Sequence, residues 1–204
     1  MRASEPPTGE AIVGLVLAGG RGQRMGGADK GLQLWHGAPL VAHAVARLAP
    51  QVRDVMVSAN RNAHAYAAYA ARVLPDADAS FAGPLAGILA GLRAAHAAGM
   101  PWLAVVPCDA PLLPDDLVGR LAREVVEAGS DGAVVRRDRG DGPRLEPVCC
   151  LLSTALAHDL ERYLAEGERK VERWVARHAT PVDFDRPEDA QAFANVNTLA
   201  DLQP

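Results

Sequence analysis

Ile12-Val-Gly-Leu-Val-Leu-Ala-Gly-Gly-Arg-Gly-Gln-Arg-Met-Gly-Gly-Ala-Asp-Lys-Gly31 begins as an apolar run and breaks abruptly into glycine and base. A continuous run of Val, Ile and Leu, without polar alternation, predicts a strand over Ile12–Leu17 buried on both faces, as in a helix-covered parallel sheet. In such sheets ligands sit at the carboxyl ends of the strands, which places the loop after Leu17 at the binding crevice. Its glycines let backbone N–H groups approach an anion closely. Arg21, Arg24 and Lys30 supply the positive charge that a polyphosphate requires.

The rest of the 204 residues repeats that alternation of strand and helix. Further strands are expected at Val52–Ser58, Arg72–Leu74, Trp102–Pro107, Gly132–Arg136 and Pro147–Leu152. Leu40, Ala44, Val45 and Leu48 fall at helical spacing, as do Leu85, Ile88, Leu89 and Leu92, and Leu117, Leu121 and Val125. Gly99-Met-Pro101 stops one crossover helix, and Pro114 with Asp115 and Asp116 opens the next. The expected order is βαβαβαβ, an α/β fold of three layers with a mostly parallel sheet and helices on both faces. Residues 1–11 read as a flexible, polar N-terminal tail and residues 12–204 as one domain. Arg136 to Arg144, RRDRGDGPR, reads as a loop or hairpin near the sheet edge.

Composition narrows the function. A hydrophobic share of 49% with only 4% aromatics favours an Ala, Val and Leu core. A net charge of −4 argues against a general nucleic-acid or membrane-surface binder, and no run reaches transmembrane length. Three cysteines, two of them adjacent at Cys149 and Cys150, form neither an even disulfide framework nor a zinc spacing, so a reducing cytoplasm is expected. The six histidines are scattered without ligand spacing.

Two familiar phosphate loops fail on the letters. Walker A requires Gly-Lys followed by Ser or Thr, whereas Lys30 lies between Asp29 and Gly31. The dinucleotide fingerprint requires G-x-x-G after its first glycine pair, but Gly26 comes one position late and no acid ends the second strand. Trp102-Leu-Ala-Val-Val-Pro-Cys-Asp109 ends in a carboxylate on the same rim, a hard oxygen ligand suited to Mg²⁺ or else a cap for the following turn. Asp76 and Asp78 follow the third strand. A carboxylate there can accept both donors of a guanine edge, N1–H and N2–H₂.

Leu17-Ala-Gly-Gly20, Arg24-Met-Gly26 and Lys30 resemble the nucleotidyltransferase loop, and Gly26-Gly-Ala-Asp-Lys-Gly-Leu32 is similar to that of the molybdenum cofactor guanylyltransferase family. Cys108-Asp-Ala-Pro111, Gly83-Pro-Leu-Ala-Gly87, Gly167-Glu-Arg-Lys-Val171 and Asn195-Val-Asn-Thr198 resemble further family segments in the same order. The resemblance spans Val13 to Thr198 and implies a Rossmann-like nucleotidyltransferase fold that transfers GMP from GTP to molybdenum-molybdopterin, releasing pyrophosphate. It implies Lys30, Arg24 and Asp109 as catalytic, with Asp109 the Mg²⁺ ligand. Leu17, Ala18, Gly19, Gly20, Lys30, Ser58, Asp76 and Asp109 would meet GTP, and Asn195 and Asn197 the pterin side. The family commonly carries N-A-N where this chain has Ser58-Ala59-Asn60, which leaves the contact to Ser58 or Asn60. Thr198 reads equally as a helix cap. Arg136, Arg137, Arg139, Arg144 and the Gly167–Val171 segment are candidate basic contacts for the second anionic substrate. Proteins that deliver the pterin and molybdoenzyme chaperones are the implied protein partners. Competing readings are a nucleotidyltransferase using CTP with a pterin or an NTP with a sugar phosphate, and a GTP-binding module without turnover.

Overall fold

A computed structural model describes residues 5–18, 29–76, 83–138, 140 and 142–196. β1 is Ile12–Leu17, and its first five residues are buried. Leu15 and Val16 are fully enclosed on opposite faces, each burial contributing about 1.5–3 kcal/mol. A small hairpin of β2 (Leu34–Trp35) and β3 (Ala38–Pro39) turns through His36 and Gly37, both at positive φ. Then follow α1 (Leu40–Leu48), β4 (Asp54–Ser58), the short α2 (Ala63–Tyr66) and β5 (Arg72–Leu74). The chain continues through α3 (Pro84–Ala97), β6 (Trp102–Pro107), α4 (Leu117–Ala128), β7 (Gly132–Asp138) and β8 (Pro143–Ser153). It closes with α5 (Ala157–Ala165), α6 (Val171–His178) and β9 (Thr180–Asp183).

The main sheet runs β5-β4-β1-β6-β8-β7-β9. β5, β4, β1 and β6 are mutually parallel, as the apolar runs lead one to expect. β8 departs from the βαβ order, because it lies antiparallel to both β6 and β7. The reason is length: four residues separate Asp138 from Pro143, enough for a hairpin but far short of the crossover that a parallel return needs. Within the RRDRGDGPR stretch, Arg136–Asp138 and Pro143–Arg144 are therefore the paired strand ends of a hairpin. β9 then adds parallel to β7 and covers that edge.

Two apolar layers fill the faces of the sheet. One packs α1 and α4 through Val41, Ala44, Leu48, Leu117, Leu121 and Val125. The other packs α3, α5 and α6 through Leu85, Ile88, Leu92, Leu160 and Trp174. The expected helix faces are the buried ones, with Val45 only partly covered. α3 ends where expected, with Gly99 N–H donating to the His96 carbonyl and Met100 N–H to that of Ala95, the paired bonds of a Schellman stop. Amphipathic α5 and α6, the four-residue β9 and the small hairpin lie beyond the elements placed from the letters.

Candidate active site

The parallel ladder carries three chain ends to one rim. Ala18 N–H donates to the Ser58 carbonyl at 2.9 Å, and Cys108 N–H to that of Leu17 at 3.1 Å. The residues just past β1, β4 and β6 thus lie side by side, where the chain order switches from one side of β1 to the other. A cleft of about 270 Å³ opens there, lined by Leu17, Ala18, Lys30, Ser58, Asp76 and Asp109 among others. Asn195 also lines it. Gly19, Gly20, Arg21, Arg24, Asp78, Arg139, Asn197 and Thr198 lie outside the described residues.

Lys30 Nζ donates to Asp109 Oδ2 at 2.6 Å, joining the loop base to the strand-end acid across 79 residues of sequence. Both side chains keep about a fifth of their surface in solvent, 23% and 19%, so an incoming ligand can reach them. The backbone of Asp109 has a second tie: its carbonyl accepts Val196 N–H at 2.9 Å, which holds Asn195 beside the acid. The loop exit is braced from below. The Asp29 carboxylate accepts from the Tyr66 hydroxyl and, at 3.1 Å, from Asn62 Nδ2. Burial, reinforced by Asp29, pushes the Tyr66 hydroxyl far up, so it stays a donor. Gly31 lies against the same phenol, and a Cβ there would stand 2.5 Å from the Tyr66 oxygen. Tyr66, a partner 37 residues away, gives Asp29 a structural role invisible in the local letters.

Asn60 is spoken for by Asp76: its amide donates to Asp76 Oδ2, and its carbonyl accepts Asp76 N–H at 2.8 Å. Ser58 is the residue of the pair that lines the cleft. Burial pushes the Asp76 carboxyl above its ordinary value, while hydrogen bonds from Asn60 and Ser58 pull it back. Gly83, which also lines the cleft, takes φ 117°, a conformation that L side chains rarely adopt, and starts α3 with Pro84. Gly87 lets that helix settle on the sheet: a Cβ would lie 2.6 Å from Ser58 Oγ and 3.0 Å from Leu17 Cδ2. Gly87→Ala is thus expected to cost about 1–3 kcal/mol, read as a lower midpoint in thermal unfolding. Ser58, the nearer neighbour, is fully buried and has little room to retreat.

The cleft chemistry fits a hard divalent cation. Asp109 offers a carboxylate oxygen, while burial pushes the Cys108 thiol up to about 12 and raises that of Cys149 well above its ordinary value, so both stay protonated and offer no thiolate. Among the described residues no three His, Cys, Asp or Glu side chains cluster into a complete cage. A hard divalent cation that takes one or two carboxylates from a protein and completes its shell with phosphate and water would fit such a donor set.

Arg136 and Arg137, together with Arg144, Arg169 and Lys170, are not among the side chains lining the cleft. Arg136 grips Asp183 through two hydrogen bonds. Arg137 donates to the Ala190 carbonyl and lies over Phe193. Arg169 donates to the carbonyls of Leu164 and Glu168. Arg136 and Arg137 thus tie β7 to the C-terminal segment, and Arg169 braces the α5–α6 turn.

The MobA-like NTP transferase domain matches residues 14–182. A molybdenum cofactor guanylyltransferase of Ralstonia nicotianae is 50% identical over 203 residues, covering 97% of this chain and 96% of the relative. One from Acidovorax sp. is 50% identical over 199 residues, covering 94% and 93%. The fold matches the crystal structure of molybdopterin-guanine dinucleotide biosynthesis protein A from Archaeoglobus fulgidus, with a TM-score of 0.72, 24% identity and coverage of 93% and 94%. With half of its residues shared over nearly its whole length, the chain belongs to the molybdenum cofactor guanylyltransferase family, built on the MobA-like NTP transferase domain.

Proposed function

We propose that this chain transfers GMP from GTP to molybdenum-molybdopterin and releases pyrophosphate, with Mg²⁺ as its metal. The observation that carries the reading is the 2.6 Å pair of Lys30 and Asp109 at the strand-end crevice. The terminal phosphate of molybdopterin attacks the α-phosphorus of GTP in line. A new P–O bond forms as the bond to pyrophosphate breaks. A phosphate nucleophile needs little activation, so positioning and charge neutralisation carry the rate. Lys30 leaves Asp109 for the phosphates and offsets their charge, with Arg24 of the loop as a second cation. Leu17 and Ala18 lie along the nucleoside, Ser58 closes the floor, Asp76 accepts the guanine donors, and Asn195, with Asn197, faces the pterin side. When bound at Asp109, Mg²⁺ supplies further neutralisation of phosphate charge. Three buried, unpaired thiols support a reducing compartment for the reaction.

A panel of the four NTPs with molybdopterin and Mg²⁺, read by pyrophosphate release, tests the assignment. Release with GTP alone is expected. Preference for CTP would move the substrate, and tight GTP binding without release would make the chain a binding module.

Asp76 gives the reaction a pH signature. Guanine recognition needs the ionised carboxylate, and burial has raised its pKa. The KM for GTP is therefore expected to rise on acidification, starting at a higher pH than an ordinary aspartate would set. Stability moves the other way: a carboxyl with a raised folded-state pKa binds its proton more tightly in the native state, so acidification through that pKa relieves a cost of folding. Asp76→Asn should bind GTP weakly at every pH and lose this slope. An unchanged slope would remove Asp76 from base recognition.

A further inference from the structure

We propose that Glu146 is the residue that recognises the pterin ring, by accepting hydrogen bonds from the pterin's amino-pyrimidinone edge; this rests on the guanylyl-transfer reading above. The register between β7 and β8 shows how Glu146 comes to the cleft. Val134 pairs with Cys150, yet the next residue, Val135, pairs with Glu146, so Pro147, Val148 and Cys149 have no partners on β7. Such a bulge re-aims side chains. Here Glu146, Val148 and Cys149 all line the cleft, a grouping that regular alternation would split between the two faces of the sheet. Phe193 lines it as well, and the thiol of Cys149 is held neutral by burial. Val148, Cys149 and Phe193 supply apolar surface of the kind a flat heterocycle needs.

A carboxylate lining the cleft can accept hydrogen bonds from a ligand edge that carries adjacent donors. Pterin provides them. Guanine and pterin share the same 2-amino-4-oxopyrimidine edge, an N–H beside an NH₂, and a carboxylate can accept both. The strand order matches the order of groups in the product. Asp76 follows β5, the Lys30–Asp109 pair sits at β1 and β6, and Glu146 lies on β8, next to β6 in the sheet. Four strand spacings of about 4.8 Å separate β5 from β8, roughly 19 Å in all. That span suits a dinucleotide with its pyrophosphate in the middle and one amino-pyrimidinone ring at each end. Asp76 and Glu146 then perform the same recognition at opposite ends.

The test uses the full chain and the variants Glu146→Gln and Glu146→Asp. Glu146→Gln is expected to raise the KM for molybdopterin about tenfold while the KM for GTP stays at the wild-type value. Fluorescence titration supplies a readout that a merely structural role would not move. The wild type should bind pterin about tenfold more tightly than lumazine, which has an oxo group in place of the 2-amino group. Glu146→Gln should bind the two alike, and Glu146→Asp, which keeps the carboxylate, should retain the preference. A wild-type KM for molybdopterin in Glu146→Gln, an effect confined to GTP, or an unchanged pterin preference in that variant would overturn the proposal. Failure of the wild-type chain to release pyrophosphate from GTP and molybdopterin would instead remove the reading beneath it.

Discussion

Asp109→Ala is expected to lower turnover by roughly a hundredfold or more, the scale seen when one preorganised group at a developing charge is lost. The fold should survive, because the partner left behind, Lys30, retains 23% of its side-chain surface in water and can solvate its charge there. The backbone contact from Asp109 to Val196 is independent of the side chain and keeps Asn195 in place. Steady-state pyrophosphate release alongside thermal unfolding separates the two effects. Turnover at the wild-type rate would end the assignment of Asp109 as metal ligand, and a collapse of the unfolding midpoint would recast the residue as structural.

The second large effect is on stability. Arg120 lies on the buried side of α4, with 5% of its side chain exposed, and donates twice to Asp189, which is 2% exposed. Its other terminal nitrogen donates to the Asp183 carbonyl, and its guanidinium stacks 3.4 Å from the centre of Phe184. This one side chain thus ties the last stretch of chain to the sheet. Phe184 in turn meets Phe193 edge to face, and Phe193 lines the cleft. Asp189→Ala leaves the buried guanidinium with only the half-exposed Asp116 at 3.8 Å as a carboxylate partner and is expected to cost about 3 kcal/mol. For a chain of this size that lowers the melting midpoint by roughly 10 °C. The double replacement Arg120→Met with Asp189→Leu should recover much of the loss, since an apolar pair carries no desolvation cost. A single variant as stable as the wild type would show that the pair contributes little. In the destabilised variant the KM for molybdopterin should rise more than that for GTP, because the segment it frees carries Asn195.

These groups also mark where the letters stop being informative. β1 and β6 were legible because both faces of each are buried, which writes a continuous apolar run. The rim residues followed from topology alone: once β1, β4 and β6 are parallel neighbours, Leu17, Ser58 and Asp109 must share an edge. The direction of β8 is not encoded in its own residues, only in the four-residue span before it. β9 is four residues long, half-exposed and contains Pro181, so it has no pattern to read. Charged residues are ordinarily assigned to solvent, so Arg120 was hidden on a helix whose Leu117, Leu121 and Val125 were read correctly as its buried face. Its partner stands 69 positions away. Asp29 with Tyr66, and Asn60 with Asp76, are likewise pairings that only the fold brings together. The bulge that turns Glu146 into the cleft is a property of register, which no local stretch determines.

The most direct measurement of the central claim is a crystal structure with GTP and Mg²⁺ bound. The Lys30–Asp109 pair should be open, with Lys30 Nζ on the triphosphate, the Asp109 carboxylate on the metal and the guanine edge against Asp76. A triphosphate bound elsewhere while Lys30 and Asp109 remain paired would contradict it.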